Sequence, residues 1–379
     1  MPETHPPYLL IETGPALEHL CKQLRDVTWL ALDTEFHREN SYYPRLCLLQ
    51  IACETVVACI DPIQLSTIDP LLEILYAPHI IKVFHAGRQD QESFYHLRGK
   101  PLAPIFDTQI AAPLLGHAEQ ISYAALVQKT LGITLDKSMT RTDWRRRPLS
   151  RQQLDYAAND VIYLGKVYRQ FIAALQRQGR LDWLNEDFAR LCDTAQYANP
   201  PAAAWQRIKN VQRLNERQLA VLQALAEWRE KAAEQENRPR NWILKDELLL
   251  AMARSQPQRA ADLASLPREH QCRLQHYGPQ ILMTINQGLS APAPGLPRQL
   301  QPHRRLNPAE EALIKRLQEK LRQRCAENAI DDKAIAGRRE LIRLLRGEKN
   351  LKILQGWRKK IVGGELQAIL ATQPGHSQA

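Results

Sequence analysis

The sequence predicts an α/β fold, a mixed central sheet with helices packed on it, followed by two all-α helical units. Three observations carry that prediction. In the front half, short apolar runs of strand character alternate with runs of helical period. Beyond about residue 200 the strand signals stop and helical periods remain. Two proline-rich stretches, "ANPPAAAW" and "SAPAPGLPRQLQP", read as linkers. The expected organisation is therefore three domains, over residues 1–200, 210–290 and 303–373.

Taken in order, Trp29 to Phe36 reads as a buried strand. "PRLCLLQIAC" and "TVVACIDP" follow as a hairpin, since a short polar turn separates two apolar runs. "LSTIDPLLEILYAP" has a helical pattern. "IIKVFHAG" is another apolar strand, ended by Gly87, and "RQDQESFYHLRG" is a helix closed by Gly99. "FDTQIAAPLLG" and "SYAALVQKTLG" are read as two short helices, each stopped by a glycine. After the loop "ITLDKSMTRTDWRRRP", Ser150 stands at the N-cap position of a long helix running to "LQRQG". A meander followed by βα crossovers implies a mixed sheet. In the rear, "LNERQLAVLQALAEWREKAAEQENRP" gives one long helix with Leu219, Leu222, Leu225, Ala226 and Trp228 on its apolar face. Residues 305–372 repeat the helical character, with a similar length and pattern.

A chain of 379 residues suits two or three domains. No apolar run of 18 or more residues occurs, so no transmembrane helix is expected. "MPETHPPYLL" has no basic region followed by an apolar core, which argues against a secretory signal. The seven cysteines are scattered and form no C-x-x-C pair, the pattern of reduced thiols in a cytoplasmic protein. Core packing is expected for Cys47, Cys53 and Cys59. The net charge of +10 divides unevenly: residues 1–200 carry −3 and residues 201–379 carry +13. A near-neutral front with a basic rear points to a rear that holds a polyanion while the front acts on it.

The front contains the residues for that action. In "TWLALDTEF", Asp33 and Glu35 are two apart on a strand and emerge on one face. Asp90 stands just past the next apolar strand, and Tyr156 and Asp160 are four apart on one helical face. Four carboxylates around one centre repel each other, and two hard divalent cations, Mg²⁺ or Mn²⁺, convert that repulsion into ligation by oxygen donors. Two such ions about 3.5–4 Å apart form a clamp for phosphodiester hydrolysis. Tyr156 would aim the attacking water by a hydrogen bond. D-x-E alone arises about once by chance in a chain of this size, Asp90 also suits a helix N-terminus, and Tyr156 also suits a core position. The order of the five residues on their elements makes the pattern specific.

"LDTEF", "HAGRQD", "DTQIAA", "LDKSMTRTDWRRRPLS" and "YAANDVIYL" resemble the exonuclease motifs of the bacterial ribonuclease D family, within the DEDD superfamily of 3′→5′ exonucleases. The resemblance covers about residues 8–200 and implies a ribonuclease H-like fold for the front domain. It carries the four acids onto Asp33, Glu35, Asp90 and Asp160, with Tyr156 marking the tyrosine branch, DEDDy. The alternative branch has a histidine five before the last acid, where this chain has Asp155. The resemblance further implies that Asp33, Glu35 and Asp160 hold one metal, and that Asp33 bridges to a second supported by Asp90. Residues 210–289, chiefly "LAEWREKAAEQENRPRNWILKDELLLAMA", resemble the HRDC domain, and residues 305–372 resemble a second, divergent copy.

The implied function is trimming of structured RNAs such as tRNA precursors from the 3′ end, releasing 5′-mononucleotides, by a monomer that has no membrane role. Candidate substrate contacts are Phe36, Gln50, His85 and the loop 137–147, with Lys137, Arg141, Trp144 and Arg147. Cations there would steer phosphates, and Trp144 would either stack on a base or anchor the loop in the core. His85 lines the cleft or is a satisfied structural histidine, and Asp107 reads as a helix N-cap. Two alternatives stand beside this reading. One is a DNA exonuclease of Werner type, although no helicase G-x-x-x-x-G-K-[ST] segment is present. The other is an RNA-binding scaffold with a decayed centre, although all four acids stand. On the expected division of labour, removing residues 300–379 weakens RNA binding and spares the chemistry.

Overall fold

The computed structural model describes residues 8–136, 139, 142–266, 271–292, 295 and 305–372. Alternating apolar residues shape the first half into strands β1 (Leu9–Ile11), β2 (Trp29–His37), β3 (Arg45–Ala52), β4 (Val57–Ile60), β5 (Ile81–Phe84) and β6 (Ile105–Asp107). Between them lie helices α1 (Gly14–Leu24), α2 (Asp69–Leu75) and α3 (Arg88–Arg98). After β6 come α4 (Thr108–Ala111), α5 (Tyr123–Leu131), α6 (Arg151–Arg177) and α7 (Asn185–Leu191). The six strands form one sheet in the order β1-β4-β3-β2-β5-β6. It is mixed: β3 runs antiparallel to β4, while β1 pairs parallel with β4, and β5 pairs parallel with both β2 and β6.

Alternation sends the side chains of β2 to two cores. Leu30 and Leu32 face α1, α2 and α3 in a core that includes Leu20, Leu72 and Phe94. Trp29 and Ala31 face α6 in a core with Ala157, Val161 and Phe171. Gly165 brings α6 close to the sheet, since a Cβ there would meet the Trp29 ring at 2.8 Å. A capping box on Ser150 and Gln153 starts α6 where the sequence places it. The "FDTQ" segment differs from expectation. Ile105–Asp107 forms an edge strand, and only then does a one-turn helix begin. A three-residue strand is too short to show a period of two. Cys47 and Cys59 are buried, whereas Cys53 is partly exposed, and all seven thiols are free.

The second half is helical: α8 (Glu216–Gln235), α9 (Arg240–Ile243), α10 (Asp246–Ser255), α11 (Ala260–Ala264) and α12 (Gln271–Ser290), then α13 (Pro308–Glu327), α14 (Arg338–Leu345), α15 (Gly356–Arg358) and α16 (Gly364–Ala371). The chain divides into two compact units. One holds α8 to α12 around Leu222, Leu225, Leu249 and Ile281, and residues 37–45 fold with it. There Tyr42 donates its hydroxyl hydrogen bond to Glu230 at 2.6 Å, and Arg207 pairs with the same buried carboxylate at 3.0 Å. The stretch "PPAAAW" is not a bare linker, because Trp205 is buried in that core.

The other unit holds the sheet together with residues 306–372. Ile314, Leu317, Leu341, Trp357 and Leu366 extend the core of α6. Arg180 donates to the carbonyls of Leu114 at 2.7 Å and Asn328 at 2.6 Å. Trp183 stacks on Trp357 with centroids 5.1 Å apart, and Arg358 pairs with buried Asp187 at 2.7 Å. The sequence reading treats the rear helices as a binding arm. The last of them are packed instead into the unit that carries the acids.

Candidate active site

Only Trp29, Leu30 and Ala31 of β2 are in register with β5, so Asp33 and Glu35 lie beyond the carboxyl end of that partner strand. Ends of this kind are where open α/β sheets leave a crevice. Both side chains point to the α6 face, and α6 presents Tyr156 and Asp160 to the same space. Carboxylate oxygens of Asp33, Glu35 and Asp160 lie within 4.8 Å of one another. A pocket of about 200 Å³ opens there, lined by Asp33, His85, Tyr123, Tyr156, Asp160 and Leu164. A neighbouring groove of about 520 Å³ runs along α6 past Arg151, Asn159 and Tyr163 and shares Tyr156 and Asp160.

Asp90 is held differently. Thr34, on the opposite face of β2, donates to its Oδ1 at 2.5 Å. The turn that delivers Asp90 is fixed from β6: Asp107 accepts from the backbone N–H of Ala86 at 3.1 Å and of Gly87 at 2.8 Å. The same carboxylate caps α4 through Gln109 and Ile110. Gly87 is required in this turn, since a Cβ would sit 2.5 Å from that of Phe84.

The acids behave as an electrostatic unit. Burial, then the charges of Asp160, Asp90 and Glu35, hold the Asp33 carboxyl well above the usual range. Burial followed by Asp160 and Asp90 pushes Glu35 up to about 8. Burial alone raises Asp160 to about 7. Asp90 rises to about 6 by burial, against the opposing hydrogen bond from Thr34. A divalent cation among these oxygens would offset the repulsion and favour the ionised carboxylates.

Tyr123 carries no signature in the sequence, since it is a tyrosine that opens a helix. Its hydroxyl donates to the Asp160 carbonyl at 2.5 Å and pins α6 at the last acid. His85 lines the pocket, but its ring nitrogens engage Thr108 Oγ1 and the Ile121 carbonyl, each at 3.0 Å. Burial lowers its pKa, and the carbonyl contact identifies Nε2 as a protonated donor.

The other candidate substrate contacts are placed as follows. Trp144 is 6% exposed and packs in the core with Tyr156, ring centroids 6.3 Å apart, so it is the loop anchor and not an open stacking platform. Arg147 is committed to Asp61 and to main-chain carbonyls, so it offers nothing to a phosphate. Gln50 is completely buried on β3, and both amide atoms lack a hydrogen-bond partner among the described residues. Phe36 alternates to the face of Thr34, away from the pocket. Lys137 and Arg141 lie outside the described residues. Of the remaining loop cations, Arg145 pairs with Asp143 at 2.8 Å and Arg146 is exposed.

Comparison with known proteins identifies the family. Residues 8–176 match the 3′-5′ exonuclease family and residues 218–285 match the HRDC domain. Ribonuclease D of Bartonella henselae is 38% identical over 373 residues, 97% of this chain and 91% of that protein. Ribonuclease D of Gluconacetobacter diazotrophicus is 38% identical over 372 residues, 96% of this chain and 93% of that protein. The crystal structure of Escherichia coli RNase D, an exoribonuclease involved in structured RNA processing, superposes with a TM-score of 0.81 at 32% identity, covering 97% of this chain and 100% of that one. With its acids gathered at the end of β2 and an HRDC domain later in the sequence, the chain belongs to the ribonuclease D family of 3′→5′ exoribonucleases.

Proposed function

We propose that the enzyme trims the 3′ ends of structured RNAs such as tRNA precursors with two divalent cations, Mg²⁺ or Mn²⁺, and releases 5′-mononucleotides. The observation that carries this reading is the convergence of Asp33, Glu35 and Asp160 within 4.8 Å, with Tyr156 beside them. The donor set is purely carboxylate, which suits these hard ions and gives no thiolate or imidazole for a zinc site. The cations, when bound, lower the pKa of a coordinated water and stabilise charge at phosphorus and the leaving oxygen.

The protein's residues divide the remaining work. Asp33, Glu35 and Asp160 would hold the ions, and Asp90, fixed by Thr34, would support them. The Tyr156 hydroxyl, one helical turn before Asp160, aims the attacking water along the line of displacement. Tyr123 keeps that turn of α6 from moving. His85, with both nitrogens engaged, shapes the pocket wall and is not a proton carrier.

The helical domains hold the RNA body. Residues 201–379 carry +13, and within the HRDC domain Trp242 is 45% exposed in the basic stretch Arg238 to Lys245. An open indole among cations suits base stacking on a single-stranded tail. The helices of 303–373 are read as a second, divergent HRDC copy, and the enzyme as a cytoplasmic monomer. The test compares labelled RNA and DNA of one sequence with Mg²⁺ or Mn²⁺. Faster trimming of RNA is expected; faster trimming of DNA would transfer the assignment to a DNA exonuclease.

A further inference from the structure

We propose that Arg147 and Asp61 are positioning residues for hydrolysis, acting through Trp144 on the Tyr156 side chain. The inference rests on the reading of Tyr156 as the residue that aims the water.

A guanidinium has five N–H donors, and in Arg147 every one has an acceptor. Nε donates to Asp61 Oδ2. Nη2 donates to Asp61 Oδ1 and to the Cys47 carbonyl, both at 2.7 Å. Nη1 donates to the carbonyls of Trp144 at 2.7 Å and Arg146 at 2.8 Å. Asp61 is itself fixed to the sheet. It directly follows β4, its N–H donates to the Ile11 carbonyl at 3.0 Å, and its Oδ1 accepts from the Ile63 N–H at 2.9 Å. The pair is 86 residues apart in sequence; Asp61 is fully buried and Arg147 is 12% exposed. A continuous connection thus runs from β4 through Asp61 and Arg147 to the Trp144 backbone. From there the Trp144 indole packs against Tyr156 at 6.3 Å.

Stability alone does not account for this construction. A buried ion pair is often no better than well-packed apolar residues of the same volume. A planar fork that holds a carboxylate and three carbonyls at once does something apolar packing cannot: it sets the register of residues 144–147 against the sheet. Trp144 then limits the rotamers open to Tyr156, whose hydroxyl must point at a water held by the acids. Lysine, with three donors on a flexible stem, cannot reproduce the fork.

The test is steady-state hydrolysis of a short RNA with saturating Mg²⁺ by Arg147→Lys, Tyr156→Phe and the double variant. Misplacing a reacting group by a fraction of an ångström to one ångström costs up to about 10²-fold, so Arg147→Lys should lower kcat by about 10- to 10²-fold. KM should stay within about threefold, because no substrate contact is removed. The double variant should be within about threefold of Tyr156→Phe alone, since the aim of a missing hydroxyl no longer matters. Trp144→Phe, which leaves the ion pair intact, should be non-additive with Tyr156→Phe in the same way, and it decides the case if Arg147→Lys fails to fold. Multiplying losses, or a loss confined to KM, would overturn the proposal and leave the role of Tyr156 standing. A silent Tyr156→Phe would overturn both.

Discussion

Removing the negative charge of Glu35 should stabilise the metal-free protein at neutral and alkaline pH, although it destroys part of the metal site. Glu35 rises from an ordinary value of 4.5 to about 8 because of burial and then the charges of Asp160 and Asp90. A carboxyl whose folded pKa exceeds its unfolded value keeps its proton longer in the folded chain, so ionising it costs folding free energy. The penalty is absent below pH 4.5, grows through the window, and is complete above about pH 8. At about 1.4 kcal/mol per pKa unit the upper bound is about 4–5 kcal/mol. Part of that belongs to Asp160 and Asp90, so about 2–3 kcal/mol is a reasonable expectation for Glu35→Gln, or a gain in Tm of about 5–10 °C. The assay is thermal unfolding of both proteins in a chelator between pH 5 and pH 8. The difference between them should open as pH rises, and Mn²⁺ should stabilise the wild type far more than the variant. A difference that stays constant with pH would refute the reasoning, as would equal stabilisation of both by Mn²⁺.

Three further outcomes are expected. Trp242→Ala should raise KM for an RNA with a long single-stranded tail by about 5- to 10²-fold, from the loss of about 1–3 kcal/mol of stacking, and leave dinucleotide hydrolysis unchanged; equal loss on both substrates would contradict a remote contact. Deleting residues 303–373 should reduce soluble yield and lower Tm, because it uncovers the core that Trp357, Leu341 and Leu366 complete, each worth about 1.5–3 kcal/mol. Unchanged melting and dinucleotide activity after that deletion would restore the picture of a detachable binding arm. Tyr123→Phe should lower kcat by about 10-fold with little change in KM, because the hydroxyl that pins α6 at Asp160 is gone; an unaltered kcat would limit Tyr123 to lining the pocket.

The acids were legible because their chemistry dictates both residue type and spacing. Two carboxylates two apart need a strand, and a tyrosine four before an aspartate needs a helix; β2 and α6 supply both. Asp107 is readable as a cap, but its grip on Ala86 and Gly87 is not, because the residues of β6 read in sequence as the start of a helix. The basic loop shows the limit most clearly. Sequence gives Arg147 a charge but not its counterion, and Asp61 stands 86 residues away. A cation facing buried aspartate and one facing solvent look the same until the fold joins them. The docking of residues 306–372 was hidden for a related reason. An amphipathic helix shows that it buries one face, never which core receives it.

The most direct test of the central claim is Asp33→Asn assayed on 3′-extended RNA with Mg²⁺ or Mn²⁺. Burial, and then the charges of Asp160, Asp90 and Glu35, hold the carboxyl of Asp33 well above the usual range. The substitution preserves shape and removes the charge proposed to hold the cations, so trimming should fall by about 10²- to 10³-fold, on the scale of losing one principal charge-stabilising group. RNA trimming that proceeds at the wild-type rate in Asp33→Asn would contradict the account.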